Sequence, residues 1–119
     1  MGLTEDMIVL AQAAKLAARQ MTRLSTDEKN ACLRAMADAL ETNSTAVKKA
    51  NNKDMEIAHE MEPSQAMLDR LLLDDKRITT MAQGLREVAQ LEDPVGRVLD
   101  ERERPSGLKL KKVACPIGV

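Results

Sequence analysis

Two cysteines and one histidine are the residues of this chain best suited to nucleophilic or metal chemistry. A thiol becomes a useful nucleophile when a cation, a helix N-terminus or a neighbouring base favours its thiolate. Cys32 shares a helical stripe with Met36 and Leu40, which predicts a buried, inert thiol. Cys115 stands before Pro116 at a strand entrance, with Lys111 and Lys112 close in sequence but no base beside it. His59 lies off the apolar stripe of its helix, with no Cys, His or acid at ligand spacing, and reads as a solvated side chain. Being isolated, it also excludes a Ser/His/Asp set. The carboxylate pairs Asp27-Glu28 and Asp74-Asp75 fall at helix starts, where capping explains them. Asp54 falls on an apolar face and reads as a partly exposed acid bonding nearby backbone. The five glycines are scattered, so neither a phosphate loop nor GxGxxG is present. On the residues alone, the sites assigned are none catalytic, none cofactor-binding and none metal-binding.

The elements that would position such residues are mostly helical. The organising stretch is Met67 to Gly96. Asp74 is placed to cap a helix there, and Ile78, Met81, Ala82, Leu85, Val88 and Ala89 recur at spacings of three and four on one face. Asp93-Pro94 is expected to end it, because proline pushes its predecessor out of the helical region. Upstream, Thr4 is the expected cap of a first helix, with Glu5 and Asp6 in its first turn and a narrow stripe from Met7 to Met21. Ser25 with Glu28 reads as a capping box for a second helix to Thr42, burying Cys32, Met36, Ala39 and Leu40. A third helix from Asn43 or Ser44 sets Val47, Ala50, Asp54, Ile57, Ala58 and Met61 on one face. Glu62-Pro63-Ser64 turns the chain, and Ser64 caps a short helix carrying Met67, Leu68, Leu71 and Leu72.

After Pro94 the period changes from helical to alternating. Val95, Arg97 and Leu99, then Leu108 and Leu110, read as two strands joined at Arg104-Pro105-Ser106-Gly107. Acidic residues on one strand face lysines on the other, which helps antiparallel pairing modestly. The last residues, from Val113 to Val119, form an apolar run like the start of a covered strand.

Composition narrows the class. Hydrophobic residues make up 44% and charged residues 31% of the 119, as in a folded globular chain. There is no aromatic residue, so eight methionines are expected to fill gaps in a core of Leu, Ala, Ile and Val. The net charge of −1 and the lack of aromatics argue against a nucleic-acid partner. No apolar run is long enough to span a bilayer, the N-terminus lacks a signal-peptide pattern, and no membrane partner is expected. Two distant cysteines without CxxC suggest free thiols in the cytoplasm.

The order of short motifs carries a resemblance. Ala50-Asn51 with Asp54 and Ala58, Met67-Leu68-Asp69-Arg70-Leu71 with Leu73, Arg77, Asp93-Pro94-Val95-Gly96, Ser106-Gly107-Leu108 and Pro116-Ile117-Gly118-Val119 are similar to the N-terminal quarter of the gamma-glutamyl phosphate reductases, in the aldehyde dehydrogenase superfamily. The resemblance implies an α/β parent fold, of which this chain is an N-terminal fragment, mostly helical with a C-terminal β-hairpin and the start of a sheet strand. It implies three parts: residues 1–93 as a helical layer of a nucleotide-binding domain, 94–115 as an oligomerisation ribbon, and 116–119 as the first residues of the nucleotide-binding sheet. It further implies NADPH-dependent reduction of a small-molecule substrate, L-glutamyl 5-phosphate, to L-glutamate 5-semialdehyde in proline biosynthesis, through a cysteine thioester. The nucleophile of that family lies downstream of the PIGV segment, and neither Cys32 nor Cys115 matches it, so the 119 residues alone are expected to be inactive. A homo-oligomer formed through the 95–115 hairpin is expected, and Asp69-Arg70 is expected to form a structural ion pair. The alternative is a free-standing helical protein-interaction module with the hairpin as its docking edge.

Overall fold

The computed structural model describes residues 2–117 and contains five helices followed by a two-stranded antiparallel ribbon. The chain forms two compact units, one of residues 27–91 and one made by the segments on either side.

The first unit holds most of α2 (Thr26–Thr42), together with α3 (Ser44–Glu60), α4 (Gln65–Leu71) and α5 (Asp75–Val88). Asp74 caps α5 as its sequence position requires, its carboxylate accepting the Arg77 N–H at 2.7 Å. Ser64 caps α4 in the same way, its hydroxyl oxygen accepting the Met67 N–H at 3.3 Å. The inner face of α5 is Ile78, Ala82 and Ala89, all buried, with Leu85 half-buried. Met81 and Val88, assigned to the same stripe, sit at its margins and are exposed. The helix closes at Val88, five residues before Asp93, so Pro94 does not end it. Its last turn tightens instead, with the Gln90 and Leu91 N–H groups bonding the carbonyls of Glu87 and Val88.

The buried face of α2 differs from the expected one. Ala37 is fully buried, with Asn30, Leu33 and Leu40 half-buried beside it, whereas Cys32, Met36 and Ala39 are exposed. The two stripes lie side by side on the helix, and the small residue faces inward. On α3 the inward residues are Val47, Asn51, Met55 and Ala58, while Ala50, Asp54, Ile57 and Met61 are exposed. A polar residue therefore occupies the centre of that face. Asn43 is the N-cap residue of α3 but its side chain makes no cap bond there; the side-chain N–H donates back to the Ala39 carbonyl of α2 at 2.8 Å. Glu62 follows α3 with φ +49°, the left-handed conformation that commonly stops a helix. The buried apolar residues of this unit are Ala37, Leu68, Ile78, Ala82 and Ala89, three of them alanines.

In the second unit, α1 (Leu3–Met21) begins one residue before Thr4. Gly2 is its N-cap, and the Glu5 carboxylate reaches back to the Gly2 N–H at 3.1 Å. None of its residues is buried; Ala14 and Ala18 come closest. The ribbon pairs β1 (Val98–Glu103) with β2 (Lys109–Val113) and carries an irregularity between Val98 and Asp100. Asp100 faces Lys112, Glu101 faces Lys111 and Glu103 faces Lys109, so the expected ladder of opposite charges forms. The Lys111 Nζ stands 3.4 Å from the Glu101 carboxylate. Such exposed pairs contribute little each.

Turns set both ends of the ribbon. At the far end the Gly107 N–H bonds the Arg104 carbonyl at 2.8 Å, and Gly107 has φ +82°. The Arg104 N–H then bonds the Leu108 carbonyl at 2.9 Å, which makes a turn with a glycine bulge. At the near end the Asp93 carboxylate accepts the Val95 N–H, and Arg97 N–H bonds the Pro94 carbonyl across Gly96 at φ +87°. Pro116 and Ile117 follow the ribbon without strand pairing, and Gly118 and Val119 lie outside the described residues.

Candidate functional site

A concavity with a polar wall lies at the corner between α4 and α5, about 610 Å³ in volume. Its floor includes Leu72, Leu73 and Met81, and its polar wall is Asp69, Arg70, Asp74, Lys76, Arg77 and Thr80. The corner arises because α4 stops at Leu71 and Asp74 starts a new helix three residues later. A break this short leaves helix-end carbonyls without intrahelical partners. Two side chains satisfy them.

Asn51 approaches from α3. Its Nδ2 donates to the Leu71 carbonyl at 2.8 Å, and its Oδ1 accepts the Leu73 N–H at 2.8 Å. At 4% exposure it is the only buried polar residue among the described residues, and both ends of its amide are used. Arg77 approaches from α5. Its Nη1 donates to the carbonyls of Asp69 and Leu72, the latter at 2.7 Å, and its Nη2 meets the Asp69 carboxylate at 2.9 Å. The planar guanidinium suits this task, presenting several donors in a fixed fork. Asp69 therefore pairs with Arg77 eight residues on, not with its neighbour Arg70. The side chains of Arg70 and Lys76 make no hydrogen bond or ion pair among the described residues.

Ion pairs elsewhere in this unit tie helices together. Lys48 on α3 meets Asp75 at 2.5 Å. Arg86 on α5 bonds both Asp38 at 2.7 Å and Glu41 at 2.6 Å on α2. Hydrogen bonding to Arg86 holds the Glu41 carboxyl below its usual range, and the same bonds raise the Arg86 guanidinium further above its own.

Two apolar grooves accompany the polar corner. One, about 360 Å³, runs between α3 and α4 and is lined by Ala58, Met61, Pro63, Met67, Leu68 and Leu71. The other, about 330 Å³, is lined by Met36, Ala39, Leu40, Val47 and Leu85. Several methionines assigned to the core line these grooves instead.

The chemistry-bearing residues named from the sequence are not gathered. Cys32 is exposed on α2, where its stripe had predicted burial, and Cys115 is exposed beyond β2. His59 and Asp54 are exposed on α3, and the Asp54 carboxylate bonds no backbone group among the described residues. Among the described residues, no group of three or more His, Cys, Asp or Glu could hold a metal ion. Among the described residues, no helix is long and apolar enough to cross a membrane. The side chains missed were Asn51 and Arg77 as organisers of the corner. Asn51 stood in the sequence at helical spacing from Val47 and Ala58, which was the available signal.

No protein-family model matches the chain. Curated relatives do: the gamma-glutamyl phosphate reductase of Clostridium novyi is 50% identical over 119 residues, all of this chain and 28% of that protein. The enzyme of the same name from Nitratiruptor is 47% identical over 106 residues, 26% of its length. Among solved structures, the gamma-glutamyl phosphate reductase of Thermotoga maritima matches with a TM-score of 0.84 and 34% identity, over 90% of this chain and 26% of that one. The Saccharomyces cerevisiae enzyme matches with a TM-score of 0.80 and 36% identity, over 89% and 27%. The chain belongs to the gamma-glutamyl phosphate reductase family. It spans about a quarter of the length of these relatives.

Proposed function

We propose that this chain serves as the N-terminal helical layer and ribbon of an enzyme that reduces L-glutamyl 5-phosphate to L-glutamate 5-semialdehyde with NADPH, in the cytoplasm, as a step of proline biosynthesis. The carrying observation is homology along the whole of this chain to about a quarter of reductases of that name, with fold agreement at TM-scores of 0.84 and 0.80. Residues 1–93 pack on a nucleotide-binding domain and residues 116–119 lead into its sheet. The open faces of α1 and α2 and the two apolar grooves support this reading, because apolar helix surface of that extent calls for a cover. Residues 94–115 join subunits of a homo-oligomer. Among the described residues neither outer edge of the ribbon is paired, and unpaired strand edges are templates for another chain.

Within such an enzyme the reaction needs a thiolate, an acyl phosphate and a hydride donor, and this chain supplies none of the reacting atoms. Its part is scaffolding: the corner braced by Asn51 and Arg77 keeps one rigid edge of the helical layer in place. The test is to express the reading frame that carries these residues and to follow phosphate-dependent NADP reduction by glutamate 5-semialdehyde, the reverse reaction. Turnover by the whole protein and none by the isolated 119 residues is expected. Turnover by the isolated chain, or a whole protein that neither makes nor consumes the semialdehyde, overturns the proposal.

A further inference from the structure

We propose that the concavity at the α4–α5 corner is an oxyanion site, in which Arg70 and Lys76 bind a phosphate or carboxylate group of a small-molecule ligand. Five charged side chains line it: Asp69, Arg70, Asp74, Lys76 and Arg77. Three of them are mutually engaged. Arg77 is spent on the Asp69 carboxylate and on two carbonyls, and the Asp74 carboxylate caps α5. The two cations left over, Arg70 and Lys76, have no side-chain bond among the described residues and line the same concavity. Nearby, Thr80 donates its hydroxyl proton to the Lys76 carbonyl at 2.9 Å, which leaves its oxygen lone pairs free and its proton committed. The charged donors left unengaged here are therefore Arg70 and Lys76, while both acids are already held by Arg77 and the helix end. A guanidinium and an ammonium beside one concavity match an oxyanion, the first by its bidentate fork and the second as a compact charge.

The corner is also rigid in the way a binding site needs. Asn51 and Arg77 fix the carbonyls of Asp69, Leu71 and Leu72 and the N–H of Leu73, at the end of α4 that carries Arg70 and in the turn that leads to the helix carrying Lys76. Donors mounted on fixed backbone lose less freedom on binding. The site as such does not depend on the function proposed above. The identity of the ligand does: under that reading the oxyanion comes either from the glutamyl phosphate or from the phosphates of the dinucleotide.

The experiment uses the whole protein with inorganic phosphate as the probe. Phosphate is titrated against chloride at matched ionic strength while the arginine side-chain N–H signals are followed by NMR. The Arg70 signal should shift saturably with phosphate. Arg70→Met should weaken phosphate binding by about tenfold and Lys76→Met by about threefold, because a bidentate fork contributes more than a single point charge. Arg70→Lys should recover part of the loss. In the enzyme assay, a raised KM for the acyl phosphate with kcat unchanged identifies the substrate as the source of the oxyanion. A raised KM for the dinucleotide identifies the cofactor. Loss of phosphate binding in a protein that lacks reductase activity keeps the site and overturns the functional reading. No phosphate response at Arg70, together with unchanged KM values in both methionine variants, overturns the site. Arg70 and Lys76 are exposed, so these variants keep the fold, and circular dichroism checks that they do.

Discussion

Replacing Asn51 by alanine should release the α4–α5 corner while leaving the rest of the helical unit folded. The substitution removes two hydrogen bonds of 2.8 Å each, from Nδ2 to the Leu71 carbonyl and from the Leu73 N–H to Oδ1. A net loss of about 1 kcal/mol per bond applies where water can replace the partner, and about 1–3 kcal/mol where the group left behind stays dry. Asn51 is 4% exposed, while the corner itself is only partly covered, so about 2–4 kcal/mol is the expected total. At about 1.4 kcal/mol per factor of ten, that is a thirty- to several-hundredfold rise in local opening. Native-state hydrogen exchange of the Leu73 amide reads this directly, since its acceptor is the deleted oxygen. Asn51→Asp sharpens the test. An aspartate can still accept from Leu73 but places a carboxylate against the Leu71 carbonyl, so burial and repulsion raise its folded pKa above the unfolded value. The protonated acid restores a donor, and its stabilising contribution is lost as pH rises through the raised pKa. The variant should therefore be least stable at neutral pH and recover on acidification. An alanine variant whose Leu73 exchange rises less than about threefold would refute the assignment of Asn51 as the brace.

Arg86→Met should separate α2 from α5 and lower the urea midpoint at neutral pH, since one guanidinium serves both Asp38 and Glu41. Because the folded Glu41 carboxyl is held below its ordinary value of 4.5, its contribution is complete above that pH and disappears as pH falls through the lowered value; the gap between wild type and variant should close in acid. Gly107→Ala places a Cβ in open space but at φ +82°, so only backbone strain of about 1 kcal/mol should oppose the ribbon, read as faster exchange of the Arg104 amide. Cys32, exposed on α2, should react with iodoacetamide in the folded 119-residue chain within about threefold of its rate in denaturant; strong protection would restore the buried assignment.

What could be read from the residues depended on whether a signal was local. Asp74 and Ser64 act on N–H groups three residues away, and their caps formed as expected. The α5 stripe was legible because Ile78, Ala82 and Ala89 are the apolar residues nearest its centre. The charge ladder of the ribbon followed from alternation once a turn was placed. The errors concern partners chosen in three dimensions. Asp69 could reach Arg70 by sequence, but the break after Leu71 turned Arg77 toward it. Cys32 and Met36 looked like core because they are apolar, yet the packing of α2 placed Ala37 inward. Asn51 was passed over because a polar residue on an inner face scores against burial unless the carbonyl and N–H it will satisfy are known. The concavity beside Arg70 and Lys76 was invisible for the same reason.

Because β1 and β2 are mostly open to water, burial of one face does not select their register, and a ribbon of that kind slips easily unless its ends are pinned. Here both ends are: Gly107 sets the distal turn, and Gly96 with Asp93 sets the proximal one. The strands are therefore of dictated length, which shapes how the gene can drift. An added or lost residue within Lys109–Val113 would have to move one glycine out of its turn or set Lys111 against the wrong neighbour. An extra residue between Val98 and Asp100 falls where the pairing is already irregular and can be taken up as a larger bulge. Length variants of this ribbon should accumulate on the first strand beside Leu99, and the second strand should keep its count.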